Sequence, residues 1–151
     1  EFTALREAYA AFVGEYLAGQ IAAGDRLWAL AWSAKWQEAL SAWQQIPADG
    51  QRQGAWAAGR AYVETGDDQK GIEQLRLTAR TAHDWSNARG INGGNFLAGT
   101  MAQFYLGRAY EHEGKKAEAI NAYQEFLNHF ENSTARLPQI AEARAALKRL
   151  L

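Results

Sequence analysis

The chain has 151 residues, of which 48% are hydrophobic and 22% charged, with a net charge of −1 and no cysteine. That balance belongs to a folded chain with a buried core and excludes a disordered one. The missing cysteine removes disulfides, thiolate metal sites and cysteine nucleophiles, and the near-neutral charge leaves no basic face for nucleic acid.

Only two prolines interrupt the chain, no sustained period-2 alternation occurs, and apolar residues recur with the 3.6-residue period of helices. The first predicted helix covers 2–18, where Phe2, Leu5, Tyr9, Phe12, Val13, Tyr16 and Leu17 make one stripe. Gly19 and then Gly24–Asp25 are expected to break it before a second helix, "RLWALAWSA". A third, "KWQEALSAWQQI", ends at Pro47, because the residue before proline is pushed out of the α region. "AWAAGRAYVET" and "QKGIEQLRLTARTA" follow, separated by Gly66–Asp67–Asp68. The glycine-rich stretch "HDWSNARGINGG" is predicted irregular, with Asn95 capping the helix after it. That helix stops at Gly114, "KKAEAINAYQEFLNHF" resumes at once, and Pro138 suits the first turn of a last helix over 138–150.

Helix, tight turn, helix is therefore the recurring unit. "GRAYVETG" (Gly59–Gly66) and "GRAYEHEG" (Gly107–Gly114) share five of eight positions. The helices after them also agree, with Gly71, Ile72 and Leu75 in one and Ala119, Ile120 and Tyr123 in the other. Leu27–Ala34, followed by Ala39, Leu40 and Trp43, is a weaker third copy. This pattern resembles the tetratricopeptide repeat, which Leu106, Gly107, Tyr110, Gly114, Ala119 and Tyr123 match in the best copy. The resemblance departs at Gln103 and Ala55, which stand where the family has tryptophan, with Phe104 and Trp56 one place later. Spacing departs as well. Ala39 to Gly71 spans 32 positions and Gly71 to Ala119 spans 48, so against a period of 34 the second gap carries about 14 extra residues.

The resemblance implies an all-α fold: a right-handed α-solenoid of about three helical hairpins in one domain, with an N-terminal helix and a C-terminal cap. The repeats are expected at about 20–47, 52–83 and 96–130. On the capping helix, Ile140, Ala143, Leu147 and Leu150 form the inner stripe and Glu142, Arg144 and Lys148 the outer face. The look of the ending is similar to C-terminal repeat regions of bacterial multidomain regulators. The chain starts at Glu1–Phe2 without methionine and reads as a piece of a longer protein. Its compartment leans cytoplasmic, with the periplasmic side of an anchored parent left open.

In the family, exposed positions of each first helix line a groove and contact ligand. Carried over, these are Trp28 and Trp32, then Trp56, Arg60 and Glu64, then Phe104, Arg108 and His112. Each set is spaced i, i+4, so its members share a helix face. Aromatics and arginine are the residue types that anchor interfaces. The competing reading packs Trp56 and Phe104 into the core and pairs the arginines with Glu64 or Glu111. The Lys/Asn clamp by which the family holds C-terminal carboxylates is missing at these places. The expected function is a protein- or peptide-binding scaffold without catalytic activity, with a structural or self-associating module as the alternative, a homo-oligomer compatible with it, and enzyme activity through the glycine-rich loop as a distant third.

Other constellations carry little chemistry. "RGINGGN" (Arg89–Asn95) has the glycines of an anion loop but no preceding strand and no following Lys–Ser/Thr. Trp85 and Phe96 are candidate contacts from that region. His83, His112 and His129 have no ligand spacing, and no serine sits in a nucleophile elbow. Trp32, Trp36 and Trp43 read as a packed stripe. No cofactor, metal or catalytic residue is called for, and no apolar run nears the roughly 18 residues of a membrane span.

Overall fold

The computed structural model describes residues 15–48, 51–88, 93–131 and 137–151. Among these residues every regular element is helical. The helices are α1 (Glu15–Trp32), α2 (Trp36–Gln44), α3 (Gln51–Glu64), α4 (Asp68–Ala88), α5 (Gly93–His112), α6 (Lys116–Asn128) and α7 (Pro138–Leu150). They pair as three hairpins, α1–α2, α3–α4 and α5–α6, with α7 in the place of a fourth first helix.

Each hairpin closes by the same turn. Ala34, Gly66 and Gly114 follow the first helices with positive φ of 55°, 86° and 69°. This is the left-handed cap that turns the chain back, and only the first hairpin makes it with a residue that bears a Cβ. After the second turn, Asp67 accepts the Lys70 backbone N–H at 3.4 Å and its Nζ at 2.7 Å, as an N-terminal aspartate does for α4. Pro138 opens α7 from an extended Leu137.

Consecutive helices touch throughout, and so do the first helices of neighbouring hairpins: α1 with α3, α3 with α5, α5 with α7. Among the described residues, the second helices α2, α4 and α6 do not touch one another. The array therefore closes up on the side of the first helices and fans open on the other, which makes the first-helix side concave. The fanned side has a cleft of about 350 Å³ between α4 and α6, floored by Leu106 and Tyr110.

Small residues set the hairpin spacing. A Cβ on Gly59 would meet Leu75 Cγ at 2.7 Å, and one on Gly107 would meet the Tyr123 ring at 2.6 Å. Tyr123 and Phe126 from α6 and Phe104 and Leu106 from α5 are buried in the space those small residues leave. Ile140, Ala143 and Ala146 of α7 close the end of the core, and Glu142, Arg144 and Lys148 face outward.

Three expectations are corrected. No break occurs at Gly19 or Gly24, because α1 runs through both. Glycine lowers helix propensity by about 1 kcal/mol, which the flanking "WALAW" and "YLA" tolerate. The predicted N-terminal helix over 2–18 otherwise lies outside the described residues. Most of the stretch 83–96 is helical rather than irregular: α4 continues to Ala88 and α5 begins at Gly93, so most of the extra residues lengthen two helices. Asn95 thus lies inside α5 rather than capping it. Arg89 to Asn92, and the side chains of Trp85 and Phe96, lie outside the described residues. Among the described residues, no helix is long and apolar enough to cross a membrane.

Candidate binding face

The concave side is built from equivalent positions on α1, α3 and α5. An aromatic run crosses it. Trp28 stacks on Trp56 with centroids 4.8 Å apart and planes 14° apart. Trp32 leans on the same indole at 5.7 Å, and Tyr105 meets it edge-on at 6.3 Å. Offset and edge-on rings gain quadrupole attraction beyond their buried area. Trp32 ends this run with 65% of its surface exposed, against 4% for Trp56. Trp56 Nε1 is sealed and has no hydrogen-bond partner.

Arg60 lies among these rings. Its guanidinium carbon is 4.9 Å from the Trp36 centroid, 5.1 Å from Tyr105 and 5.7 Å from Trp56. Rings at these distances attract a cation by their negative faces. Nε of Arg60 is sealed without a partner. One hairpin on, Arg108 Nη1 donates to Glu64 Oε1 at 2.9 Å and the guanidinium lies 5.9 Å from Tyr105. His112 Nδ1 is 3.2 Å from both carboxylate oxygens of Asp68. At the far end, Glu111 takes the Tyr123 hydroxyl at 3.1 Å and Arg149 Nη2 at 2.8 Å, tying α7 to α5. Burial, then the Glu111 carboxylate, pushes the Tyr123 hydroxyl well above the ordinary phenol range. Burial likewise raises the Tyr105 hydroxyl, against the opposing pull of Arg60.

The eight residues named from sequence therefore divide. Trp28, Trp32, Arg60, Glu64, Arg108 and His112 lie on the first-helix side and are partly or wholly exposed. Phe104 is a correction. It is 2% exposed, enclosed by Tyr105, Tyr123 and Phe126, because α6 covers that part of the α5 face. Trp56 is corrected as well: it is buried under Trp28 and Trp32 and supports the face from below. The stripe of three tryptophans also divides: Trp43 is core, Trp36 is half-buried beside Arg60, and Trp32 is on the surface. The turn at Ser33–Lys35 puts Trp32 and Trp36 on different helices. Tyr105, Trp36 and Asp68 are members of the face that sequence reasoning missed. Trp36 and Tyr105 meet Arg60 from other hairpins, a relation that no local spacing signals.

Residues 101–133 match the tetratricopeptide repeat family. No curated protein and no solved structure matches the chain. The matched segment contains the end of α5, the Gly114 turn and α6, which is the third hairpin almost entire. The third hairpin thus matches the tetratricopeptide repeat and lies within an array of helical hairpins, and repeats of this family generally mediate contacts between proteins.

Proposed function

From the tetratricopeptide repeat at 101–133 as premise, we propose that this chain is a protein- or peptide-binding module that docks a partner segment across the first-helix face of α1, α3 and α5. The observation that carries this is Trp32. A tryptophan 65% exposed, at the open end of the Trp28–Trp56–Tyr105 run, presents apolar area beside charged groups. Tryptophan and arginine in one patch are the composition of interface hot spots. Supporting edges come from Glu64, Arg108 and His112, whose cross-hairpin pairs hold the wall of the face in register.

The mechanism is rigid docking. The rings are already stacked and the ion pairs already made, so a ligand finds its receptor side chains ordered and orders mainly itself. Selection of short displayed peptides on this chain and on Trp32→Ala tests the proposal. Wild type is expected to enrich a sequence motif, and Trp32→Ala to lose its affinity for those peptides by about 30-fold or more, a hot-spot loss of about 2 kcal/mol. A motif bound equally well by a folded Trp32→Ala variant would overturn the assignment of this face.

A further inference from the structure

We infer that Arg60 is the receptor for a glutamate or aspartate side chain of the docked partner segment; this rests on the docking face proposed above. The three turns supply a common register. Measured from Ala34, Gly66 and Gly114, the residues Trp28, Arg60 and Arg108 hold one position of the first helix. Trp32, Glu64 and His112 hold the position one turn later, and Trp36, Asp68 and Lys116 open the second helices.

Between the second and third hairpins each of the two rungs at these positions sets a carboxylate against a nitrogen-bearing side chain. Glu64 accepts from Arg108 at 2.9 Å, and Asp68 faces His112 at 3.2 Å. Between the first and second hairpins the same two carboxylate places are filled by Trp32 and Trp36. Arg60 therefore meets one indole, that of Trp36, on the side where Arg108 meets a carboxylate. Among the described residues it has no hydrogen bond and no ion pair, only the three ring contacts.

Ring contacts hold the plane of a guanidinium but leave its edge unsatisfied. The group has five N–H donors and no acceptor, and a carboxylate is the anion that fits two of them side by side. Nε is sealed, whereas the terminal nitrogens are not, and Arg60 as a residue is only partly buried. The terminal nitrogens thus keep open donors. The neighbouring rung shows what size of group fits: a side-chain carboxylate on the scale of Glu64. The exposed indole of Trp32 adds a second requirement, an apolar residue close to the acid. The ligand is an internal acidic side chain flanked by an apolar one, supplied by the partner in place of the carboxylate that the first hairpin lacks.

The test uses short random peptides displayed with flanking sequence at both ends, so that no free carboxy terminus is present. They are selected on wild type and on Arg60→Met, whose stem keeps the ring contacts, with Arg60→Lys as a second variant; folding is checked by circular dichroism. Wild type is expected to enrich peptides with Asp or Glu next to an apolar residue. In blocked synthetic peptides, Glu→Gln at that place should weaken binding to wild type by about 10- to 100-fold. On Arg60→Met the same change should matter by about twofold at most, and on Arg60→Lys by an intermediate factor. The inference is overturned if the selected peptides lack acids, if the Glu→Gln penalty persists in full on the variants, or if phosphoserine binds better than glutamate at that place. Non-acidic peptides that are lost on Trp32→Ala would leave the docking face standing and remove only the role of Arg60. If wild type selects no peptide at all, the docking face fails and this inference fails with it.

Discussion

Replacing Gly107 by alanine drives a methyl group into the ring on which the third hairpin closes. A Cβ there would stand 2.6 Å from Cδ1 and from Cε1 of Tyr123 and 2.9 Å from Cγ. Carbon atoms prefer about 3.5–4.0 Å, so the shortfall is about 1 Å over one edge of the ring. Tyr123 cannot swing away freely: it is 2% exposed, lies 6.0 Å from Phe104 and donates its hydroxyl to Glu111. Overpacking of this kind costs about 1–3 kcal/mol, and alanine's better helix propensity returns about 0.8–1 kcal/mol. Because three ring atoms are struck at once, the steric term wins, leaving a net loss of about 1–2 kcal/mol. With a urea dependence of about 1–3 kcal/mol/M, the midpoint should fall by about 0.3–2 M, read by far-ultraviolet circular dichroism. Gly24→Ala is the internal control. It lies in the interior of α1 with nothing within 4 Å of an added Cβ, so it should gain about 0.5–1 kcal/mol. A Gly107→Ala midpoint at or above wild type, with Gly24→Ala behaving as expected, would refute the close approach of α5 and α6.

Ala34→Gly should stabilise the first hairpin by about 0.5–1 kcal/mol, since relief of the left-handed strain at φ 55° exceeds the added freedom of the unfolded chain; equilibrium unfolding would detect it. Tyr123 has a folded pKa raised above the ordinary 10.0. Its contribution is full below pH 10 and declines as the pH rises from there toward the folded value, by at most about 1.4 kcal/mol per pH unit. Urea midpoints between pH 9 and 11 should therefore fall less steeply for Tyr123→Phe than for wild type. A double-mutant cycle on Glu64 and Arg108, whose side chains are 21% and 31% exposed, should give a coupling of about 0.5–1 kcal/mol that shrinks in high salt. Phe104→Ala should cost about 3–5 kcal/mol as a core deletion, whereas Trp32→Ala should leave the urea midpoint close to wild type.

Much of the fold was legible because its punctuation is local. The repeated "GRAY" with a glycine seven residues on, the small residues at 71 and 119 and the proline at 138 each act within one turn of their own position. Those signals located the second and third turns and the last helix. Glycines misled where they do not act as punctuation. Gly19 and Gly24 lower helix propensity without stopping α1, and Gly93–Gly94 lie in the first turn of α5, where the chain is already helical. The candidate face was legible as a stripe but not as a surface. Spacing of i, i+4 puts Phe104 and Arg108 on one face of α5, yet it does not say which part of that face α6 covers. Phe104 is buried by that cover and Arg108 is not. The setting of Arg60 was beyond local reading, because its rings come from three helices, and only the register of the turns relates Trp32 and Trp36 to Glu64 and Asp68.

Site-specific photo-crosslinking of the protein in its own cells tests the proposed docking face most directly. A photoreactive phenylalanine analogue would replace Trp32 on the first-helix face and, in a separate variant, Glu125 on the cleft of the opposite side. The account predicts discrete partner adducts from position 32 that vanish in the Arg60→Met background, and none from position 125. Adducts from position 125 alone, or from neither position, would contradict it.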